Sequence, residues 1–181
     1  MQTKRAILLG AMIGLVMAVL TGVWVWATGD DEPVDSVDLT GESVATGEAF
    51  PDVDLVDLNG DDVSIEDYAG VPVVVNLWAE SCRPCRAEMP AFEAVFKERN
   101  SEVLFLGINS GDDQQTTADF VDEVGVTYDI ARDPRGDVMA EVGGPGLPAT
   151  LFVSAEGRIL DLHFGEMSAD ELRAEIDRLL T

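Results

Sequence analysis

The stretch Val73-Val-Val-Asn-Leu-Trp-Ala-Glu-Ser-Cys82-Arg-Pro-Cys85 joins an apolar, valine-rich run to the only two cysteines of this 181-residue chain. The run from Val71 to Trp78 predicts a central buried strand, and Arg83 to Arg99 predicts a helix. The cysteines therefore lie at a strand-to-helix corner, where free N–H groups and the helix dipole favour a thiolate. Because a thiolate attacks disulfides and a second thiol one turn along can close the ring, the spacing indicates a reversible dithiol–disulfide site.

Two other interpretations of the cysteine pair stay open at this level. A zinc ion takes about four ligands, whereas the chain has two cysteines and one distant histidine, His163, so that carboxylates would have to complete the shell. A purely structural disulfide would close a very short loop, and short loops stabilise least in the loop-entropy model. We favour redox chemistry, which needs no metal and no dissociable cofactor beyond the Cys82–Cys85 disulfide.

The charge of the chain limits the class of partner. Its 11 basic and 35 acidic residues give a formal charge of −24, and only Lys4 and Arg5 are basic before position 83. Nucleic-acid binding rests on Lys and Arg contacts to phosphate, so a nucleic-acid partner is excluded. The acidic surface is most simply a solvated one that aids solubility. At 46% hydrophobic residues, the chain can form the core of one domain with an appendage.

The N-terminus predicts a membrane anchor. Residues 6–27 form a run of 22 residues without a charge, which as a helix would span about 33 Å, close to the roughly 30 Å hydrocarbon core. Residues 1–5 contain Lys4 and Arg5, which stay cytoplasmic by the positive-inside rule and leave the rest of the chain outside. A cleaved signal peptide is the alternative, but the run is long and Val25-Trp-Ala27 is a poor cleavage site. In both cases the cysteines work outside the cytoplasm.

Two regions follow the predicted anchor. Residues 28–46 are acidic and poor in large apolar side chains, which is typical of a self-repelling linker. The folded domain is predicted over residues 47–181. It opens with a hairpin, because the alternating Val53–Leu58 and the returning Val63–Ile65 flank the turn signal Asn59-Gly60.

Strand and helix patterns alternate through the rest of the domain. The predicted strands are Val103–Asn109, a short edge strand at Val126–Ile130, and a hairpin of Thr150–Val153 with Ile159–Phe164. The predicted helices are Thr116–Val124, Arg135–Val142 and a last one that starts at the capping box Ser168–Glu171 and ends at Leu180. This order predicts an α/β sandwich with a mixed central sheet and helices on both faces.

The corner position distinguishes the two cysteines. Cys82 lies at the corner and is expected to be the exposed nucleophile, whereas Cys85 lies one turn inside and is expected to be the buried, resolving thiol. Arg83 either favours the thiolate of Cys82 or is an ordinary solvated residue at a helix start. Glu88 lies three residues beyond Cys85 on the same helical side. It either accepts the proton of Cys85 or is an acid favoured by the helix dipole.

The segment Gly143–Thr150, rich in glycine and proline, is the other candidate part of the site. It is either a simple connector or a loop with a cis Leu147–Pro148 bond, which would present free backbone to a peptide substrate. We expect Trp78, Ser81, Leu147 and Pro148 to line the substrate surface. Ser81 is also a candidate cap for the helix.

These motifs carry a resemblance to a known family. Val73–Ala79 followed by Cys82–Pro90, with Asp57–Gly60 before them and Gly146–Thr150 with Gly157 after them, resembles the TlpA/ResA-like branch of the thioredoxin superfamily. The likeness covers roughly residues 47–181. It implies a thioredoxin-like fold with an added N-terminal hairpin, a redox pair at Cys82 and Cys85, a cis-proline at Pro148 and an acid tied to the active site at Glu88.

The resemblance also implies a role. Members of this branch are typically membrane-tethered, extracytoplasmic reductants of protein disulfides. Many keep the haem-attachment cysteines of apocytochrome c reduced and take electrons from a membrane thiol transporter. One departure is Ser81, because the family usually has Trp immediately before the first cysteine.

Two rival functions remain. One is a membrane-tethered copper-binding or copper-delivery module of thioredoxin-like fold, although such carriers usually space their cysteines more widely and add a matching histidine. The other is a peroxidase, although the proline and threonine expected just upstream of a peroxidatic cysteine are absent.

Overall fold

The computed structural model describes residues 47–181 and contains seven strands and four α-helices in that range. The strands are β1 (Leu55–Asp57), β2 (Asp62–Val63), β3 (Val73–Trp78), β4 (Leu104–Ser110), β5 (Asp129–Asp133), β6 (Ala149–Val153) and β7 (Ile159–Phe164). The helices are α1 (Arg83–Arg99), α2 (Gln114–Val124), α3 (Asp137–Val142) and α4 (Ala169–Leu179), with a 3₁₀-helix at Ile65–Tyr68. One mixed sheet contains all seven strands, in the order β2-β1-β5-β4-β3-β6-β7.

Strand β3 lies inside the sheet between β4 and β6, and it is buried as its apolar sequence predicts. It pairs in parallel with β4 and antiparallel with β6, and all six of its residues are buried. Because successive side chains of a strand point to opposite faces, Val74 and Trp78 join one core cluster and Val75 joins the other. Helices α1, α2 and α4 pack on the first face and α3 on the second. The predicted mixed sheet with helices on both faces is confirmed.

The first hairpin extends the sheet beyond β5. Strand β1 pairs with β2 and, on its other side, antiparallel with β5. The predicted edge strand Val126–Ile130 is therefore wrong in position: β5 begins at Asp129 and lies inside the sheet, with Ala131 fully buried. The local pattern cannot show this, because the edge is covered by residues more than 70 positions earlier in the chain.

The returning strand of this hairpin is shorter than predicted. Strand β2 ends at Val63, and Ser64 then caps the 3₁₀-helix by accepting a hydrogen bond from the N–H of Glu66. The side chain of Asp67 reaches back to the N–H of Ser64 and completes a capping box. Ile65 therefore belongs to the helical turn, since a capping box satisfies N–H groups that a continued strand would pair with its neighbour.

The predicted cytoplasmic residues 1–5, the anchor 6–27 and the linker 28–46 lie outside the described residues. Between residues 47 and 181, no helix combines the length and apolar character that a membrane span requires.

Candidate active site

Cys82 and Cys85 form a disulfide at the corner between β3 and α1, with their Cα atoms 5.3 Å apart. Cys82 is the N-cap of α1, and its Sγ accepts a hydrogen bond from the N–H of Cys85 at 3.2 Å. The predicted capping role of Ser81 is wrong, because Cys82 itself is the boundary residue and Ser81 lies exposed one position before it. A helix N-terminus thus meets the sulfur of Cys82, and this position favours a thiolate.

The two sulfurs differ in exposure. Cys82 is half-buried, whereas Cys85 is 0% exposed and belongs to the core cluster under α1. Arg83 and Pro84, between them, are both exposed, and Pro84 lies in the first helical turn, where its missing N–H leaves no bond unmade. A partner can therefore reach Cys82 first.

Glu88 lies one turn beyond Cys85 and is 1% exposed. Its Oε1 accepts a hydrogen bond from Nδ2 of Asn76, and its Oε2 accepts one from the N–H of Met167, both at 2.9 Å. Burial raises the pKa of Glu88 to about 7, although the bonds from Asn76 and Met167 act in the opposite direction. A carboxyl group with this pKa can take or release a proton near neutral pH.

Asn76 connects Glu88 to the strand on the other side of the site. Its Nδ2 also lies 3.3 Å from Oγ1 of Thr150, its partner in the β3–β6 register. Thr150 follows the segment Leu147–Pro148 by two residues. A buried polar network therefore runs from α1 to the strand that begins just after this segment.

The Leu147–Pro148 peptide bond is cis. Pro148 is buried and its carbonyl oxygen accepts a hydrogen bond from the N–H of Gly165. The register that pairs Leu77 with Ala149 places Pro148 beside the end of β3, at the same edge of the sheet as Cys82. Leu147 is partly buried and packs on the same core cluster as Cys82.

Trp78 does not lie on the substrate surface, where its sequence position suggested it. Its side chain is 0% exposed and stacks on Phe120 of α2, with ring centroids 4.8 Å apart. The guanidinium of Arg86 lies over the ring of Phe120, at 4.3 Å from its centroid. The prediction that Trp78 lines the substrate surface is therefore wrong, because a stacked and fully buried indole supports the site from below and cannot touch a partner.

Comparison with known proteins places the chain in a family. A model described as the AhpC/TSA family matches residues 46–161, more than half of the chain. The chain belongs to the AhpC/TSA family. Within this thioredoxin-like family its relatives include proteins named ResA and YneN, which confirms the resemblance to the TlpA/ResA-like branch.

Three relatives show what this AhpC/TSA family member is similar to. The thioredoxin-like protein YneN of Bacillus subtilis (strain 168) is 32% identical over 138 residues, covering 74% of this chain and 80% of YneN. The thiol-disulfide oxidoreductase ResA of Geobacillus thermodenitrificans is 28% identical over 138 residues, covering 76% and 79%. The structure of MTB dsbF, in mixed oxidized and reduced forms, superposes with a TM-score of 0.66 at 31% identity, covering 74% and 99%. The family member described here is a thiol-disulfide oxidoreductase.

The described part of this family member offers no candidate site for the metal ion that the alternative interpretation requires. Residues 47–181 contain no group of three or more His, Cys, Asp or Glu side chains placed to hold a metal ion. His163 lies in β7 opposite Thr150, so that β6 separates it from the strand that leads to Cys82.

Three residues of the site were not predicted from the sequence. Asn76 is the only polar residue between Val73 and Trp78, and an amide in so apolar a strand is a signal that could have been used. Thr150 lies within the recognised segment that ends in Pro-Ala-Thr, but only the register shows that it faces Asn76. Met167 contributes its main-chain N–H, which no side-chain pattern can reveal.

Proposed function

We propose that this protein is a reductase of protein disulfides that works outside the cytoplasm, with residues 6–27 as its single-pass membrane anchor. The observation that carries the proposal is the asymmetry of the pair: Cys82 is accessible, whereas Cys85 is fully buried near a buried acid, Glu88. A site of this form can bind one partner sulfur at a time and then release it by an internal step.

The proposed reaction has two steps. The Cys82 thiolate attacks one sulfur of a substrate disulfide, forms a mixed disulfide and releases the other substrate sulfur as a thiolate. Cys85 then loses its proton, attacks Sγ of Cys82 and releases the second substrate thiol. The substrate gains two electrons and the protein is left with the Cys82–Cys85 disulfide. Glu88 is proposed to accept the proton of Cys85, since its pKa of about 7 suits that transfer near neutral pH.

The docking surface is proposed to consist of Ser81 and Leu147 around Cys82, next to the buried Pro148. The cis-proline loop and the end of β3 lie at one edge of the sheet. An extended peptide that lies along this loop would place its disulfide over Cys82, and main-chain contacts would hold it without a strong demand on its sequence.

The substrate class is proposed to include the haem-attachment cysteines of apocytochrome c, with a membrane thiol transporter as the electron donor. What the resemblance to the TlpA/ResA-like branch implies, together with the predicted anchor, supports this assignment. Residues 47–181 carry 29 acidic and 9 basic side chains, and such a field speeds encounter with a basic polypeptide. Outside the cytoplasm a dithiol becomes oxidised unless a donor renews it, so the donor is part of the proposal.

A trapping experiment on the full chain tests the function and the assigned roles together. Cys85→Ser should accumulate mixed disulfides with substrate proteins in cells, because the resolving thiol is missing. The matched variant Cys82→Ser should capture nothing, since it lacks the exposed nucleophile. Identification of the captured proteins names the substrates. Capture by Cys82→Ser alone would reverse the roles, and capture of proteins without paired cysteines would contradict the substrate class.

A measurement of redox equilibrium tests the direction of electron flow. The purified protein, equilibrated with mixtures of reduced and oxidised dithiothreitol, should prove hard to reduce, as expected of an electron donor. A potential near that of strong thiol oxidants, together with oxidation of substrate thiols and no reductase activity, would contradict the proposal. Tight stoichiometric copper binding that survives a competing chelator would support the copper-carrier alternative instead.

A further inference from the structure

The loop that leads from β3 into Cys82 is held by a carboxylate from another part of the chain. The loop consists of residues 79–81, and a turn closes it, with the N–H of Cys82 donating to the carbonyl of Ala79 at 3.1 Å. The N–H of Glu80, in the middle of the loop, donates to Oδ2 of Asp112 at 2.7 Å. Asp112 comes from the segment between β4 and α2, 32 residues further along the chain.

Asp112 is itself fixed by Asn109. The Nδ2 of Asn109 donates to the same Oδ2 of Asp112 at 2.7 Å, and the N–H of Asp112 donates to Oδ1 of Asn109 at 3.1 Å. Asn109 is 0% exposed and lies opposite Trp78 in the parallel β3–β4 register. The buried end of β4 therefore determines where the carboxylate of Asp112 lies.

This arrangement places Asp112 on one side of the cysteine pair and the cis-proline loop on the other. Strand β3 lies between β4 and β6, so the segment after β4 and the segment before β6 flank its end. Two residues span at most about 7 Å of chain. The carboxylate of Asp112, bonded to Glu80, therefore lies within about 10 Å of the main chain of Cys82.

The charged side chains around Cys82 differ in whether they have an oppositely charged partner. Arg86 pairs with the side chains of Glu80 and Glu123. Glu88 lies buried below the pair, Arg83 is exposed beside Cys82, and the loop 143–148 carries no charged side chain. Asp112 has no cationic partner within 4 Å among residues 47–181; its two hydrogen-bond donors are neutral.

We infer that Asp112, held by Asn109, is a positioning residue for Cys82 that fixes the loop 79–81 and opposes the Cys82 thiolate with its negative charge. A like charge nearby disfavours the charged form of a group. The thiolate form of the reduced pair is then less stable relative to the disulfide, and the pair is a stronger electron donor. The inference requires only the thiol–disulfide site and is independent of the substrate proposed above.

Two substitutions in the same segment test the effect of the charge. Asp112→Asn removes one negative charge and keeps an oxygen that can accept from Glu80. Asp113→Asn is the matched control, because Asp113 caps α2 through the N–H of Thr116 and asparagine caps equally well. Each is made in the full chain with Cys85→Ser, so that ultraviolet thiolate absorbance reports Cys82 alone. Asp112→Asn should lower the pKa of Cys82 by about half a unit to one unit, and Asp113→Asn should leave it unchanged.

The redox equilibrium with both cysteines present adds a pH signature. Above the pKa of Cys82, Asp112→Asn should make the pair about three- to tenfold easier to reduce, in proportion to the pKa shift. Well below that pKa, the variant and the wild type should be equally easy to reduce, because no thiolate is present for the charge to act on. A change in the redox equilibrium of the same size at every pH would indicate a loosened loop. It would overturn the inference that the charge of Asp112 acts on the Cys82 thiolate. An equal effect of Asp113→Asn, or an unchanged pKa in Asp112→Asn, would also overturn it.

Amide hydrogen exchange tests whether Asp112 holds the loop 79–81 in place. Asp112→Ala removes the acceptor of the Glu80 N–H, so this amide should exchange faster by at least about tenfold if the bond protects it. Asp112→Asn should retain most of the protection. Unchanged exchange of the Glu80 amide in Asp112→Ala would show that the carboxylate does not hold the loop.

Discussion

Glu88 and Glu93 are single residues of one helix, both nearly buried, whose carboxyl pKa values are shifted in opposite directions. Burial raises the pKa of Glu88 to about 7, and only neutral donors, from Asn76 and Met167, act against it. Burial also raises the pKa of Glu93, but hydrogen bonds from Lys97 and Thr127 and the charge of Lys97 bring it below its ordinary value. Glu93 accepts hydrogen bonds from a cation and from Thr127, and together with the charge of Lys97 they outweigh the effect of its burial.

The first prediction concerns Glu88→Gln in the disulfide form. The folded protein holds the Glu88 proton up to about pH 7, whereas the unfolded chain releases it near the ordinary value. The contribution of Glu88 to the free energy of unfolding therefore falls as the pH rises from about 4.5 to about 7, by roughly 3 kcal/mol. Glu88→Gln should remove this fall and be the more stable protein at pH 8. Urea unfolding across this pH range measures it.

Glu93→Gln is the matched control and should behave in the opposite sense. A lowered pKa contributes stability that is present above the unfolded value and lost as the pH falls through the folded value. This variant should therefore be less stable than the wild type at pH 7, with a difference that shrinks below about pH 4.5. A difference in stability between the wild type and Glu88→Gln that stays constant between pH 4.5 and 7 would contradict the raised pKa of Glu88.

Gly107 shows, at the scale of an element, how closely β4 is packed in the middle of the sheet. A Cβ atom on this residue would lie 2.9 Å from Cδ1 of Ile130, 3.0 Å from Cε2 of Tyr128 and 3.1 Å from Nε1 of Trp78. Tyr128 and Trp78 are almost fully buried and cannot move aside without disturbing the core. This face of β4 therefore has no room for the smallest side chain.

The second prediction is that Gly107→Ala destabilises the fold. Overpacking of a well-packed core costs about 1–3 kcal/mol, and we expect a loss in this range with little change in the dependence on denaturant. The stack of Trp78 on Phe120 lies next to the added methyl group, so tryptophan fluorescence should change as well. Unaltered stability would show that the ring of Tyr128 moves freely, which would contradict the packing described here.

Acidic side chains dominate at the scale of the whole molecule. The nine basic residues of the described part include six that pair with carboxylates, at Arg86, Lys97, Arg99, Arg135, Arg173 and Arg178. These pairs are mostly exposed and each is worth about 1 kcal/mol or less. Most of the 29 acidic residues have no such partner, so self-repulsion opposes the compact state.

The third prediction is that salt stabilises this protein. The Debye length falls from about 10 Å at 0.1 M salt to about 3 Å at 1 M, which screens repulsion between surface carboxylates. The free energy of unfolding in urea should therefore rise with sodium chloride over this range. Urea is the suitable denaturant because it adds no charge. A decrease in stability with salt would mean that the exposed ion pairs outweigh the repulsion.

The features that depend on neighbouring residues could be predicted from the sequence. The valine-rich run specifies β3, the residues from Arg83 onward specify α1 with its true ends, and Ser168 with Glu171 specifies the start of α4 through a capping box. Each of these signals lies within one element or at its end, where helix dipole, capping and periodicity act over a few residues. The position of the cysteine pair follows from them.

The contacts between distant segments, in contrast, are seen only in the folded protein. The hairpin at β1 covers β5, Trp78 is buried under Phe120, Met167 donates to Glu88, and Asp112 reaches Glu80. These contacts join residues far apart in the chain, and their free energies come from burial and from hydrogen bonds made only after the sheet has formed. Local sequence patterns do not indicate such distant partners. A sequence can therefore indicate a reactive pair of cysteines without showing the groups that alter their reactivity.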